Sequence, residues 1–540
     1  MDRPVKNHPA DFGRSVMATL AVWGSLLGWS LARVPVPGVN EPHYLTKARR
    51  FWDPQWCPGD FFLDSANPHY VFYMTFGWLT DVFSLPVAAR IGRGFGLLIL
   101  AIGWQRFSVA LTGYKWTGLL ALPFLLMLQS LGNLSGEWLV GGIEAKVPAY
   151  GCLFWGLGEF LDRRFFRGAI LGGLAVSLHP LVGLWGGIAL VMTQLATVWR
   201  NSQKTGIHGD NEDHIENGSA RPRWIVMGLL CLLFALPGLV PALGIITRQD
   251  PRLELIANQL QVADRLAHHL DPMQFHKESY RYWGMQILLW LLLGSFLPRT
   301  PRERWWKTFV GSTILLVLAG IVIGWGPRPV TLMPGFEWRL KLLKLYFFRL
   351  GDQMVPVALA LTLAELCRAG LLQPRSRQCR QGWGIALATS LIGALCIPFS
   401  DANPSRLSWR QQRDWKQACE WLKGHSSPGD LVQNIDTGWA TRWFTQRPEY
   451  VSFKDMPQDT PAIVEWNHRL WVIARWRTAV LEDHEVTEAE LKSLRQQTGI
   501  RFILCSRFGP MASSPAFENE TFRIYAIPES TKRLTFRQDQ

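Results

Sequence analysis

The sequence predicts an all-α polytopic membrane bundle followed by a small α/β domain. Three observations predict it. Apolar runs of roughly 16 to 24 residues recur from Val16 to about Ser400, the length a helix needs to cross a hydrocarbon core of about 30 Å. The 27 tryptophans suit such a chain, because the indole ring favours the boundary between lipid and water. After Ser400 the apolar runs stop, and short helix and strand patterns replace them. Residues 1–400 therefore read as a transmembrane domain with an outer loop at 35–68, and 401–540 as a soluble domain large enough for its own core.

Arg3, Lys6 and Arg14 precede the first run, which places the N-terminus in the cytoplasm by the inside-positive bias of short loops. The run at 16–34 is long for a signal-peptide core and no small-x-small site follows it, so it reads as a retained helix. Apolar stretches at about 69–89, 94–112 and 116–131 separate the outer loop from a polar segment at 132–147. Parity requires that one of the three be re-entrant or that 132–147 lie inside. His179-Pro180 interrupts the Gly-rich run 168–198, and such a break needs protein or a wet cavity to satisfy the freed backbone.

Later spans fall at about 224–247, 282–298, 308–326, 343–366 and 383–400. With the basic clusters between them assigned to the cytoplasm, loops 248–281 and 327–342 and the C-terminal domain are extracytoplasmic. The count is about 11 spans, some broken, in the cytoplasmic (inner) membrane. The polar loop 201–220 reads as a flexible connector. In the tail, helices are predicted at 408–423, 461–475 and 487–497, and strands at 431–435, 500–506 and 522–527.

The net charge of +14 is assigned to short inside loops and anionic lipid rather than to nucleic acid. The eight cysteines show no zinc-ribbon spacing. Cys152, Cys231, Cys367 and Cys396 lie in or beside apolar runs as packing residues, while Cys419 and Cys505 could pair in an oxidising compartment.

The segment 40–64 concentrates Glu41, His43, Asp53, Asp60 and Asp64 among Tyr44, Trp52 and Trp56. Carboxylates beside aromatic rings suit a sugar or phosphate site, although Lys47, Arg49 and Arg50 would equally balance them on a solvated loop. Glu41 is the leading general base or metal ligand, with Asp53 and Asp60 as alternatives, and His43 could contact a phosphate or share a metal. The sequence fixes no cofactor, and a divalent metal is an option.

Glu144 and Lys146 open an apolar helix, where charge is costly unless it faces protein or water. They read either as a phosphate contact or as a snorkelling pair at the interface. His179 is either a packing residue or part of a cavity opened by the break beside it. Arg349 and Asp352, three apart, share a helix face, as an internal salt bridge or as a clamp on a leaving phosphate. Asp264, Arg265, His268 and His269 form a further set on an interfacial helix, of which His268 and His269 are the candidate substrate contacts. Adjacent histidines point about 100° apart, so His268 and His269 are poor joint metal ligands.

Together these features resemble the GT-C superfamily of integral-membrane glycosyltransferases. Asn40-Glu41-Pro42-His43-Tyr44 looks like that superfamily's acidic motif in the first outer loop, with Asn40 where many members carry a second acid. The chain is also similar to an uncharacterised bacterial family of GT-C-like membrane proteins. The shared segments are Glu144/Lys146, His179-Pro180, His268-His269 with Pro272, and Phe348-Arg349 with Asp352. Thr445-Gln446-Arg447, Phe453-Lys454 and Glu465-Trp466 with Arg469 extend the likeness into the tail.

The resemblance implies a polyprenyl-phosphate sugar donor and an envelope glycan, lipid or protein acceptor. Rival expectations are a flippase for a lipid-linked glycan, which the lack of an evident repeat disfavours, and a non-catalytic membrane protein with a glycan-binding tail.

Overall fold

The computed structural model describes residues 9–205, 217–247, 250–374, 376–436, 439–482, 485–509 and 511–528. The connector expected at 201–220 lies mostly outside the described residues, as do Arg3 and Lys6. The chain is mostly helical, with one small sheet. Among the described residues, six helices are long and apolar enough to cross a membrane: Ser15–Arg33, Leu85–Thr112, Pro180–Gln203, Trp224–Ile245, Pro301–Gly324 and Arg349–Leu372. Thr117–Leu131 and Phe165–Leu178 are apolar but shorter. The 15 residues of the first rise about 22 Å, well under the hydrocarbon thickness.

Two of the irregularities expected from sequence take definite form. The stretch at 69–89 is not one span. It comprises Tyr70–Phe72, a π-turn at Tyr73–Gly77 and Leu79–Val82, after which a new helix starts at Leu85 with proline in its first turn. Proline has no N–H to offer the preceding turn, so it opens a helix more readily than it continues one. At 179–180 the helix Phe165–Leu178 ends on an extended His179 (φ −148°, ψ 98°) and Pro180–Thr205 begins. The ring of a proline pushes the residue before it out of helical geometry.

Small residues let the bundle close. A Cβ at Gly103 would lie 1.9 Å from the Gly151 carbonyl oxygen, and one at Gly238 would lie 2.0 Å from that of Ser177. Without a hydrophobic drive between helices in lipid, such backbone-to-backbone approach supplies the packing.

Beyond Cys396 the chain forms a four-stranded sheet in the order β1 (Val432–Asn434), β2 (Phe502–Cys505), β4 (Arg523–Ala526), β3 (Phe517–Glu518). β1 pairs parallel to β2, and the other pairs are antiparallel. Side chains alternate across the sheet as the period of two requires. Phe502, Leu504 and Ile524 meet helix Trp409–Gly424, while Ile503, Cys505 and Tyr525 join the core of helices Thr460–Glu482 and Glu488–Thr498. Ser408 and Thr487 each form a reciprocal capping box with Gln411 and Glu490, so both helices begin where the sequence placed them. Whether Cys419 and Cys505 pair, which their spacing does not decide, is answered by the topology. Both are free, buried thiols on opposite faces of the sheet.

Gly103→Val should therefore force apart helices Leu85–Thr112 and Lys146–Leu161, costing about 1–3 kcal/mol or more from overpacking. Gly94→Ala should be neutral, because a Cβ there meets nothing within 4 Å. Thermal midpoints of the detergent-solubilised proteins check both, and equal midpoints for Gly103→Val and wild type would contradict the packing.

Candidate functional site

A cavity of about 820 Å³ lies where the loop 35–68, the segment 136–146, the 179–180 break, the 254–269 and 341–349 segments and the tail meet. One wall carries an unbroken polar chain. Asn40 Nδ2 donates to Glu144 Oε1 (2.8 Å), whose Oε2 lies 3.4 Å from Lys146 Nζ. Lys146 donates to Glu137 Oε2 (3.0 Å), and Glu137 Oε1 forms an ion pair with Arg349 Nε at 2.6 Å. Arg349 Nη1 meets His179 Nε2 at 2.7 Å. A guanidinium only donates, so this nitrogen accepts and the ring is neutral. The His179 and His69 rings lie 5.2 Å apart, and His69 Nε2 is 3.3 Å from the Tyr44 hydroxyl.

The residues 132–145 that carry this wall are non-helical, so their backbone groups need side-chain partners. Asp352 accepts the N–H groups of Leu134 (2.6 Å), Ser135 (2.9 Å) and Glu137 (3.2 Å), together with the Ser135 hydroxyl. Gln129 accepts those of Leu139 and Val140. Glu41 accepts those of Ile143 (2.9 Å) and Gly38 (2.6 Å), and Arg93 binds its two oxygens at 2.7 and 2.8 Å. The remaining Arg93 donors reach the Ser30, Val34 and Pro35 carbonyls.

Electrostatics then distinguish the acids. Burial raises the Glu137 carboxyl, but Arg349 and Lys146 outweigh it and hold it at about 2. Glu137 is therefore a fixed anion and a poor base. Glu144 is pushed above the ordinary carboxylate range by burial, against Lys146 and the Asn40 hydrogen bond. Burial also raises Asp401, which lines the same cavity. His69 and His269 are held down to about 3, first by burial and then by a neighbouring imidazole.

Seven basic side chains line the cavity against four acidic ones. Among the described residues no carboxylate lies within ion-pair distance of Arg265, Lys344 or Lys454. Arg265 donates to the Phe453 and Lys454 carbonyls, Lys344 to Asn258, and Lys454 to the Val39 carbonyl.

The tail thus forms part of the cavity, through Lys454, Met456 and Gln458. Its seat is a buried charge cluster. Arg442 pairs with Asp60 and Asp455 and lies 3.6 Å from Glu449, while Asp455 Oδ1 is 3.1 Å from His43 Nδ1. Three carboxylates compete for one guanidinium. Burial pushes Glu449 up to about 7 despite Arg442, whereas Asp455 is pulled below its ordinary range by Arg442 and His43, which outweigh its burial.

Of the residues singled out from sequence, His43, Glu144, Lys146, His179, His268, His269 and Arg349 line the cavity. The three acids expected to act as bases are not among its lining residues. Glu41 is fully buried on Arg93, Asp53 pairs with Arg49 at 2.8 Å outside the cavity, and Asp60 is fully buried on Arg442 while capping Phe61–Asp64. Asp352 is not among the lining residues and does not pair with Arg349; its oxygens accept from the 134–137 turn. Sequence reasoning missed Arg93, Glu137, His69, Arg442 and Asp455. The available signal was a lone charge in an apolar setting, which Arg93 and Glu137 both show.

The donor set does not fit a divalent metal. Among the described residues no group of three His, Cys, Asp or Glu side chains could hold one, and Lys146 and Arg349 already occupy the Glu137 carboxylate.

Compared with known proteins, residues 413–473 match the family model "Domain of unknown function (DUF6798)". No curated protein matches the chain. Among solved structures, arabinofuranosyltransferase AftD from Mycobacteria aligns with a TM-score of 0.48 and 14% identity, over 96% of this chain and 40% of that one. A mutant form of AftD aligns with a TM-score of 0.49 and 13% identity, over 98% of this chain and 42% of the other. The chain therefore spans less than half the length of that protein.

Glu41→Gln should be a folding defect rather than a catalytic one. It strips a buried Arg93 of its counter-charge, at about 3–5 kcal/mol, and a sharply lowered yield of monodisperse protein is the expected readout.

The tail contact should also weaken with rising pH. A free glutamate titrates near about 4.3, so the folded state binds the Glu449 proton more tightly than the unfolded chain does. Its contribution is full below that value and is lost as pH rises to about 7. Glu449→Gln should flatten the fall in thermal midpoint over this window. An unchanged slope in the variant would assign the pH dependence to other groups.

Proposed function

We propose that this chain is a membrane glycosyltransferase that moves a sugar from a polyprenyl-phosphate donor to an extracytoplasmic acceptor in the inner membrane. One observation carries the reading: a buried carboxylate of raised proton affinity, Glu144, shares a cavity with cations that lack carboxylate partners. Glycosyl transfer needs both, a base for the acceptor hydroxyl and positive charge for the departing phosphate. The short segments held in common with GT-C-like proteins agree with it.

In this reading Glu144 takes the proton from the acceptor hydroxyl as its oxygen attacks the anomeric carbon. The sugar–phosphate bond breaks on the opposite face, and the lipid phosphate leaves with its electron pair. A single displacement of this kind inverts the anomeric centre. Lys146 and Arg349, pinned by Glu137, hold fixed positions along the wall, while Arg265, Lys344 and Lys454 supply unneutralised charge for the phosphate. The apolar part of the wall, Leu181, Ala242, Ile245 and Leu345, reaches the candidate span Trp224–Ile245. It offers the prenyl chain a surface continuous with the bilayer.

Purified protein given a radiolabelled prenyl-phosphate sugar and an envelope extract should transfer label. Glu144→Gln should lower the rate by about 10²–10⁴-fold, the worth of a general base, with an unchanged thermal midpoint. Full activity in that variant together with loss in Asp401→Asn would move the base to Asp401. Movement of the labelled lipid across a vesicle membrane with no transfer would replace the enzyme by a flippase.

Lys344→Ala and Lys454→Ala should raise the donor KM more than they lower kcat. An effect confined to kcat would remove these two side chains from donor binding.

A further inference from the structure

A second cavity, of about 630 Å³, shares no residue with the first. It is a trough between helices Pro9–Arg33, Thr117–Leu131, Arg349–Leu372 and Arg377–Cys396. Its walls are apolar along most of their length, with Leu120, Leu126, Leu387 and Leu391 among the contributors. Thr117–Leu131 is one of the two shorter apolar helices, and a wall about 22 Å tall leaves part of the bilayer depth to be filled by something else.

Gly24 and Gly28, one turn apart, face the trough, and a Cβ added at either meets nothing within 4 Å. The protein therefore leaves room at both positions. At the trough's other end the chemistry changes. Arg368 stacks on Tyr114 (5.3 Å) beside Trp116, and its guanidinium pairs with Glu365 at 2.9 Å. Just beyond the lining, Arg380 donates from Nε to the carbonyl of Leu371, a residue of the trough wall (3.2 Å), and has no carboxylate within ion-pair distance among the described residues. Tyr and Trp mark the headgroup level of a bilayer, and a basic rim between spanning helices attracts an anionic headgroup.

We propose that this trough binds one anionic glycerophospholipid. Its acyl chains lie along the leucine wall past Gly24 and Gly28, and its phosphate sits at the Arg368–Arg380 rim. The occupant is a bilayer lipid rather than the sugar donor of the first cavity, and the inference does not rest on that cavity's proposed activity.

The full chain, purified in detergent, is titrated with vesicles of phosphatidylglycerol or of phosphatidylcholine, and bound lipid is counted by native mass spectrometry. Wild type should retain phosphatidylglycerol in preference to phosphatidylcholine. Arg380→Gln should weaken phosphatidylglycerol by roughly 5-fold, one charge's worth near a membrane surface, and leave phosphatidylcholine unaffected. Gly28→Phe fills the trough where the protein has left room, and should abolish retention of either lipid with no change in the detergent thermal midpoint. Equal retention of the two lipids by wild type, or undiminished retention by Gly28→Phe, would overturn the proposal.

Discussion

A backbone that leaves helical geometry inside an apolar bundle has to find its hydrogen bonds in side chains. That constraint organises this protein. Residues 132–145 run through the bundle without forming a helix, and Asp352, Gln129 and Glu41 accept their N–H groups one after another. Each acceptor comes from a different helix. The segment therefore ties together parts of the chain that share no sequence neighbourhood, and it delivers Glu137 and Glu144 to the cavity wall. Asp352 and Arg349, on one face of a single helix, hold the same turn from two sides. The first takes its backbone and the second takes its Glu137 carboxylate.

The tail is joined to this arrangement by charge as well as by apolar contact. Trp443 packs with Tyr44 and Leu45, and Ala257, Leu260 and Leu266 from the 251–266 segment merge with the core under the sheet. Arg442 lies between them with Asp60 on the loop side and Asp455 on its own side. Because His43 hydrogen-bonds the same Asp455 while also lining the cavity, the seating of the tail and the shape of the cavity share one residue.

Much of the architecture was legible in the sequence. Apolar run lengths located the six long helices, Pro180 marked the break after His179, and Ser408 and Thr487 marked helix starts through their capping boxes. The site was legible only in part, and the reason is physical. Lys146, His179 and Arg349 stand out because a charge or an imidazole in an apolar run demands a partner. That rule does not say which partner. It applies equally to Glu41, whose partner Arg93 lies 52 residues away, and to Glu144, whose partners include Asn40. A buried acid that satisfies backbone and a buried acid that takes a proton obey the same sequence rule. Only the directions of their hydrogen bonds separate them. Asn40, which reads as a departure from an acidic motif, turns out to donate to the carboxylate that occupies the cavity.

The long reach of the Asp352 contacts has a consequence for biosynthesis. Leu134 and Ser135 bind a side chain 218 and 217 residues further along. At cellular elongation rates that interval is on the order of 10–40 s. Until helix Arg349–Leu372 has been made, the N–H groups of the 134–137 turn lack these acceptors. The early half of the chain therefore cannot reach its final state on its own, and a ribosomal product ending short of residue 352 carries an unsatisfied turn for quality control to recognise. Completion of the cavity wall is thus a late event in synthesis, although most of its residues are encoded early.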